Sequence, residues 1–272
     1  MKRNFSFLAA AVMMTAAVSF LACSKSDDNK KKGDDDEGDD TEFAITIDGK
    51  FDDWAKANAV TATLDAANVG WAQPDNQRVD ALKTLKVTAD GTYIYVYVEV
   101  DMSVEYQGGV NWDGSTLGKA AAGPIDIYFD ADANTATGGI NWCWEEPAGW
   151  EYFFESATIF GDQPGDLSDG ALFSFTGADG TDIWAVNPPA REDVTRDGLF
   201  KGAGVREGNI IKYEISFVRA FMPKITGNKI NIGVIVQSSN WTLVGLLPTA
   251  KQTAGESLAK TALLSVDLPA LD

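Results

Sequence analysis

Histidine is absent from all 272 residues. Without an imidazole, the chain cannot build a Ser-His-Asp or Cys-His nucleophile system, a His-ligated zinc site or a proximal-His haem. Cysteine is almost as scarce, with only Cys23 and Cys143. Basic charge is short too: 22 Lys and Arg stand against 40 Asp and Glu, for a net charge of -18. Phosphate binding needs clustered cations, so nucleic acid is excluded as a partner. An acidic surface suits neutral ligands and hard cations instead. Long amphipathic helices are missing from the pattern, whereas the chain holds 26 glycines and 8 tryptophans.

The first 41 residues read as address and tether. Lys2 and Arg3 precede an apolar run from Phe5 to Ala22 that ends at Cys23, with Phe20 where an aliphatic residue is usual before such a cut and Leu21 where a small one is. A basic start, an apolar stretch and a cut site make a secretory signal. With cysteine at the cut, residues 1–22 read as a lipoprotein signal peptide and Cys23 as the lipidated residue. The alternatives are an ordinary cleaved signal or an uncleaved anchor helix, for which the run is short against the ~20 residues of a span. Lipidation of Cys23 leaves Cys143 as the remaining thiol, expected to pack as a small apolar residue. Residues 23–41 carry Lys30-Lys31-Lys32 and Asp34-Asp35-Asp36-Glu37 and cannot bury a core, so they read as an acidic disordered tether.

Residues 42–272 are expected to form a single domain. Strand signals recur at Phe43–Ile47, Leu85–Thr88, Thr92–Val100, Ile125–Phe129, Glu151–Phe160, Leu172–Thr176, Asp182–Val186, Ile210–Phe217, Lys229–Gln237 and Ala262–Val266. Asp90-Gly91 between two of them is a strong hairpin signal. Tyr93 to Val98 is bulky on both faces, which predicts a central strand covered on both sides. Short helical turns are expected after Asp52 and over Val218–Met222. Many strands with turn-rich connections and one or two short helices predict an all-β fold, an antiparallel β-sandwich.

The order of these pieces resembles family 9 carbohydrate-binding modules and their DOMON-like relatives. Ile45-Thr46-Ile47-Asp48-Gly49-Lys50-Phe51-Asp52-Asp53-Trp54 looks like the family's opening, followed by the Leu85–Asp101 hairpin strand. Ile125 to Asp132 is similar to the strand ending in an acidic pair, Trp150 to Glu155 to the strand after it, and Ile211 to Ser216 to a late strand. The resemblance implies a β-sandwich that binds sugar, often with structural calcium. Cys23 to Asp28 likewise resembles the acidic surface-export signal of Bacteroidota lipoproteins, which implies an outer-membrane anchor exposed at the cell surface. The expectation is a non-catalytic module that captures oligo- or polysaccharide for a neighbouring transporter or hydrolase. The alternative is a structural or adhesion subunit that contacts a protein partner.

Two constellations could carry such a role. In Asp130 to Gly139, acidic and amide side chains alternate in a Gly-ended loop, as Ca²⁺ requires. Asp126, Asp130, Asp132 and Asn134 are the candidate ligands, with a solvated turn as the alternative. The other is tryptophan in polar loops: Trp71 with Arg78, Trp112 with Asp113, and Trp142 with Trp144. An indole face matches the apolar face of a pyranose, and Asp or Arg beside it can bond hydroxyls. Capping of the core is the alternative, and the expected one for Trp54 and Trp184. Successive antiparallel strands would send the Trp112 and Trp142 loops to opposite ends. Carboxylate pairs such as Glu145–Glu146 or Glu151–Glu155 could be offered as a glycosidase pair, but structural roles are expected, with no enzymatic activity.

Overall fold

The structure, a computed structural model, describes residues 45–69, 79–103, 122–141, 143–144, 149–156, 170–238, 241–253, 256 and 258–271. By contacts the chain divides after Thr41, and Glu42–Asp272 forms one compact unit. Trp71, Arg78, Trp112, Asp113, Trp142, the signal and tether and Cys23 lie outside the described residues.

Twelve described strands build two antiparallel sheets. The first runs β1 (Val60–Thr63), β2 (Leu82–Ala89), β3 (Tyr93–Asp101), β9 (Ile210–Val218), β8 (Phe200–Glu207). The second runs β11 (Leu243–Leu247), β10 (Lys229–Ser238), β4 (Ala122–Asp130), β5 (Tyr152–Glu155), β6 (Ala171–Phe175), β7 (Arg191–Asp193), and β12 (Leu264–Asp267) also pairs with β10. Side chains alternate between faces along each strand. Val96, Val98, Ile127, Phe129, Phe154, Ile215, Phe217, Ile232 and Val234 therefore meet between the sheets as the main core. The β-sandwich read from the sequence is the fold observed.

Each outer face is also covered. On the first sheet, Tyr95 and Tyr97 pack beneath Ile45, Ile47 and Trp54. Buried Glu214 pins that segment: its carboxylate accepts from Asp48 N (2.8 Å), Gly49 N (2.7 Å) and Trp54 Nε1 (2.9 Å). Trp54 is thus structural, as expected, and β3 is covered on both sides. On the second sheet, Tyr128, Trp144, Trp150, Phe153, Phe175 and Ile235 form a second, loop-covered aromatic core.

Several sequence readings change. Ile45–Ile47 forms no strand, and Thr46 N donates to Asp53 Oδ2 at 2.8 Å and not to a neighbouring strand. Asp182–Val186 is turns and isolated bridges, held by Asp182 Oδ1 accepting from Trp184 N. The strand expected over 151–160 is described only as Tyr152–Glu155. The Asp90-Gly91 hairpin holds, with Asp90 Oδ1 accepting from Thr92 N and Tyr93 N. Short 3₁₀ turns stand at Asp53–Ala55 and Arg219–Phe221.

Candidate functional site

The acidic loop leaves β4 at its last residue, Asp130. The backbone reverses at once, with Ala133 held at φ 53°, a left-handed conformation that a residue with a Cβ rarely adopts. Asp130 Oδ1 and Asp132 Oδ1 both accept from Asn134 N at 3.0 Å. Asp130 Oδ2 accepts from Asn231 Nδ2 at 2.8 Å, and Asp132 Oδ2 from Thr137 Oγ1 at 3.0 Å. Glu151, just ahead of β5, completes the group. Its Oε2 accepts from Ala131 N at 2.7 Å, while Oε1 is buried with no partner. Carboxylate oxygens of Asp130, Asp132 and Glu151 lie within 4.8 Å of one another. Gly138 keeps the space open, since a Cβ there would sit 2.3 Å from Glu151 Oε1.

Electrostatics fit a cation at this point. Burial pushes the Glu151 carboxyl up to about 8, with Asp132 and Asp130 adding to the rise. Burial likewise raises Asp130 to about 6 against the help of Asn231 and Asn134. Clustered buried carboxylates either stay protonated or find a positive partner. Three carboxylates, one with an orphaned buried oxygen, are a donor set for a hard cation such as Ca²⁺.

The expected ligand set is corrected in one place. Asp126 shares the outer face with Asp130 but lies four residues away, about 13 Å along the strand, too far to share one ion. Asn134 Oδ1 accepts from Ala136 N at 3.1 Å, which leaves its second lone pair for an ion. Glu151 stands in the group where Asp126 was expected, from a segment the loop motif did not include. The Cα atoms of Glu151 and Glu155 also stand about 13 Å apart by strand rise, and Glu151 Oε2 is engaged by Ala131 N.

The tryptophans sort by burial. Trp144, expected as a sugar contact, is 1% exposed. It lies edge-on to Tyr128 and Trp150 and donates Nε1 to Pro248 O at 3.0 Å, so no face is left for a ligand. Trp150 is fully buried, and half-buried Trp184 donates to Tyr128 Oη at 3.0 Å. Trp241, which the sequence reading passed over, is 60% exposed. It stands in the turn between β10 and β11 at φ 63°. The turn is tied by Ser238 N to Thr242 O (2.7 Å) and Trp241 N to Ser238 O (2.9 Å). Its signal was present in Ser238-Ser239-Asn240-Trp241-Thr242, a tryptophan flanked by turn residues.

Elsewhere, an open cleft of about 480 Å³ lies between β6, β7 and β8, lined by Leu172, Asp193, Arg196, Asp197 and Phe200. It is at the sheet edge opposite β11 and contains none of the expected site residues.

Fold and site together define an antiparallel β-sandwich with an acidic loop at one end of its second sheet and an exposed indole at the other. No protein-family model matches the chain, and no curated protein matches it. Among solved structures, a carbohydrate binding module family 9 (CBM9) from Caldicellulosiruptor kristjanssonii in complex with cellotriose is similar at 12% identity and a TM-score of 0.35. That match covers 84% of this chain and 91% of that one.

Proposed function

We propose that this chain is a non-catalytic carbohydrate-binding module, carried by a lipoprotein anchor at Cys23 and exposed on the outer membrane. The observation that carries the reading is Trp241. Leaving a large aromatic in water forfeits roughly 2 kcal/mol of burial, and its left-handed backbone costs about 1–2 kcal/mol more. An aromatic held at that cost, on a turn fixed by its own hydrogen bonds, is a platform for stacking. The flat apolar face of a pyranose is its natural counterpart. Trp112 and Asp113, which precede β4, remain candidates for further sugar contacts, as do Trp71, Arg78 and Trp142. Ca²⁺ held by Asp130, Asp132 and Glu151 braces the β4–β5 loop and takes no part in chemistry. A glycan transporter or hydrolase would be the neighbour that receives the captured chain.

A glycan array probed with the purified full-length chain tests this. Retention of a defined set of glycans is expected, lost on Trp241→Ala. No retention by folded protein would contradict it and favour the protein-contact alternative.

A further inference from the structure

Asp126, on the outer face of β4, is a fully buried carboxylate outside the acidic loop. It is 0% exposed, and neither of its oxygens has a hydrogen-bond partner. The strand register surrounds it. Its Cα partner on β5 is Glu155 and its Cα partner on β10 is Ile235. Alternation places Glu155 on the same outer face, directly across the ladder, where side chains meet. Gln237, two residues beyond Ile235, shares that face, and its Oε1 is also buried without a partner. The pairing of β10 shifts register beside Gln237 on both sides, toward β4 and toward β11. Such irregularities re-aim side chains and gather at sites.

All three unpartnered atoms are acceptors. A second acidic neighbour makes the isolation of Asp126 worse, since Glu155 and burial both disfavour its charge. The cations facing this region are few among the described residues: Arg191 acts on Glu155, and Lys260 acts on Cys143, itself beside Asp126. An enclosed carboxylate has no room for a sugar ring. A water could donate two hydrogen bonds but would leave the charge of fully buried Asp126 uncompensated.

We propose that Asp126, Glu155 and the side-chain oxygen of Gln237 hold a second hard divalent cation of the calcium class. This position lies on the outer face of the second sheet, about 13 Å along β4 from Asp130. It stands on different atoms from the acidic loop and does not depend on Trp241 or on sugar binding.

Bound calcium per chain, measured by equilibrium dialysis and elemental analysis of the full-length protein, tests the proposal. Asp126→Asn and Glu155→Gln should each lower the count by one relative to the unsubstituted chain, whereas Trp241→Ala should not. In EDTA, Asp126→Asn should melt no lower than the unsubstituted protein, because it removes an uncompensated charge. Glu155 is only half-buried, so Glu155→Gln keeps the test open if Asp126→Asn does not fold. An unchanged calcium count in every substituted protein that folds would overturn the proposal and assign a proton or a water to Asp126. Glycan retention read separately on Trp241→Ala distinguishes that failure from failure of the carbohydrate reading.

Discussion

At the residue scale, Glu151 decides how the acidic loop behaves. Its ordinary value of 4.5 is raised to about 8 by burial, and Asp130 rises from 3.8 to about 6 for the same reason. Between those limits the folded chain holds more protons than the unfolded one. Stability without a cation should therefore fall as pH rises through roughly 4 to 8. Ca²⁺ prefers the ionised carboxylates, so it should flatten that decline and bind more weakly as pH drops. Melting curves from pH 5 to 8.5, with Ca²⁺ and with EDTA, check both statements. EDTA should lower the melting temperature at pH 7.5, and Glu151→Gln should shrink that response. An EDTA-insensitive protein, or a response that Glu151→Gln leaves intact, would remove the cation from the loop. The loop was legible in the sequence as Asp130 and Asp132 in a turn. Glu151 was not, because its approach depends on the pairing of Glu151 N with Phe129 O at 3.0 Å, a register that a linear pattern does not encode.

At the element scale, both outer faces are sealed by segments with little regular structure. The 45–54 segment is held to the first sheet by one carboxylate serving three N–H donors. Glu214→Ala would leave a buried indole N–H and two amides without an acceptor, a loss of about 3 kcal/mol or more. Urea unfolding measures it, and a change below 1 kcal/mol would show that water replaces the carboxylate. On the second sheet, Trp144 lies directly on the backbone of β10, where a Cβ on Gly233 would come 2.7 Å from its ring. This packing explains why Trp144 misled the sequence reading. A tryptophan in a sequence with Gly and Pro looks like a ligand platform, but here Trp144 and Trp150 pack on an outer face made of Tyr128 and Phe153. Long strands rich in β-branched and aromatic residues, such as β3, β9 and β10, were readable. β1, β7, β8 and β11 were not: the first two are short, β8 carries Gly202 and Gly204 amid charges, and β11 is an apolar run without alternation.

At the scale of the whole molecule, the second sheet puts the proposed functions at its opposite ends. The acidic loop leaves the end of β4, while the Trp241 turn lies beyond Ser238, which pairs with Ala122 at the start of β4. Calcium at the loop would then affect stability far more than sugar affinity. Anchoring is separable again: Cys23→Ala should move the protein out of the membrane fraction with its melting temperature unchanged, and undiminished retention there would defeat the lipoprotein reading. The β-sandwich was legible because alternating strands and turn signals recur through the chain. Trp241 carried a turn signal in its flanking residues, but its exposure is a property of the assembled fold. The most direct test of the carbohydrate reading is Trp241→Gly, probed on a glycan array and in thermal unfolding beside the unsubstituted protein. Glycine relaxes the left-handed turn at φ 63°, so the account predicts lost glycan retention with an unchanged or higher melting temperature. Retention that survives the substitution, or binding lost only alongside the fold, would contradict it.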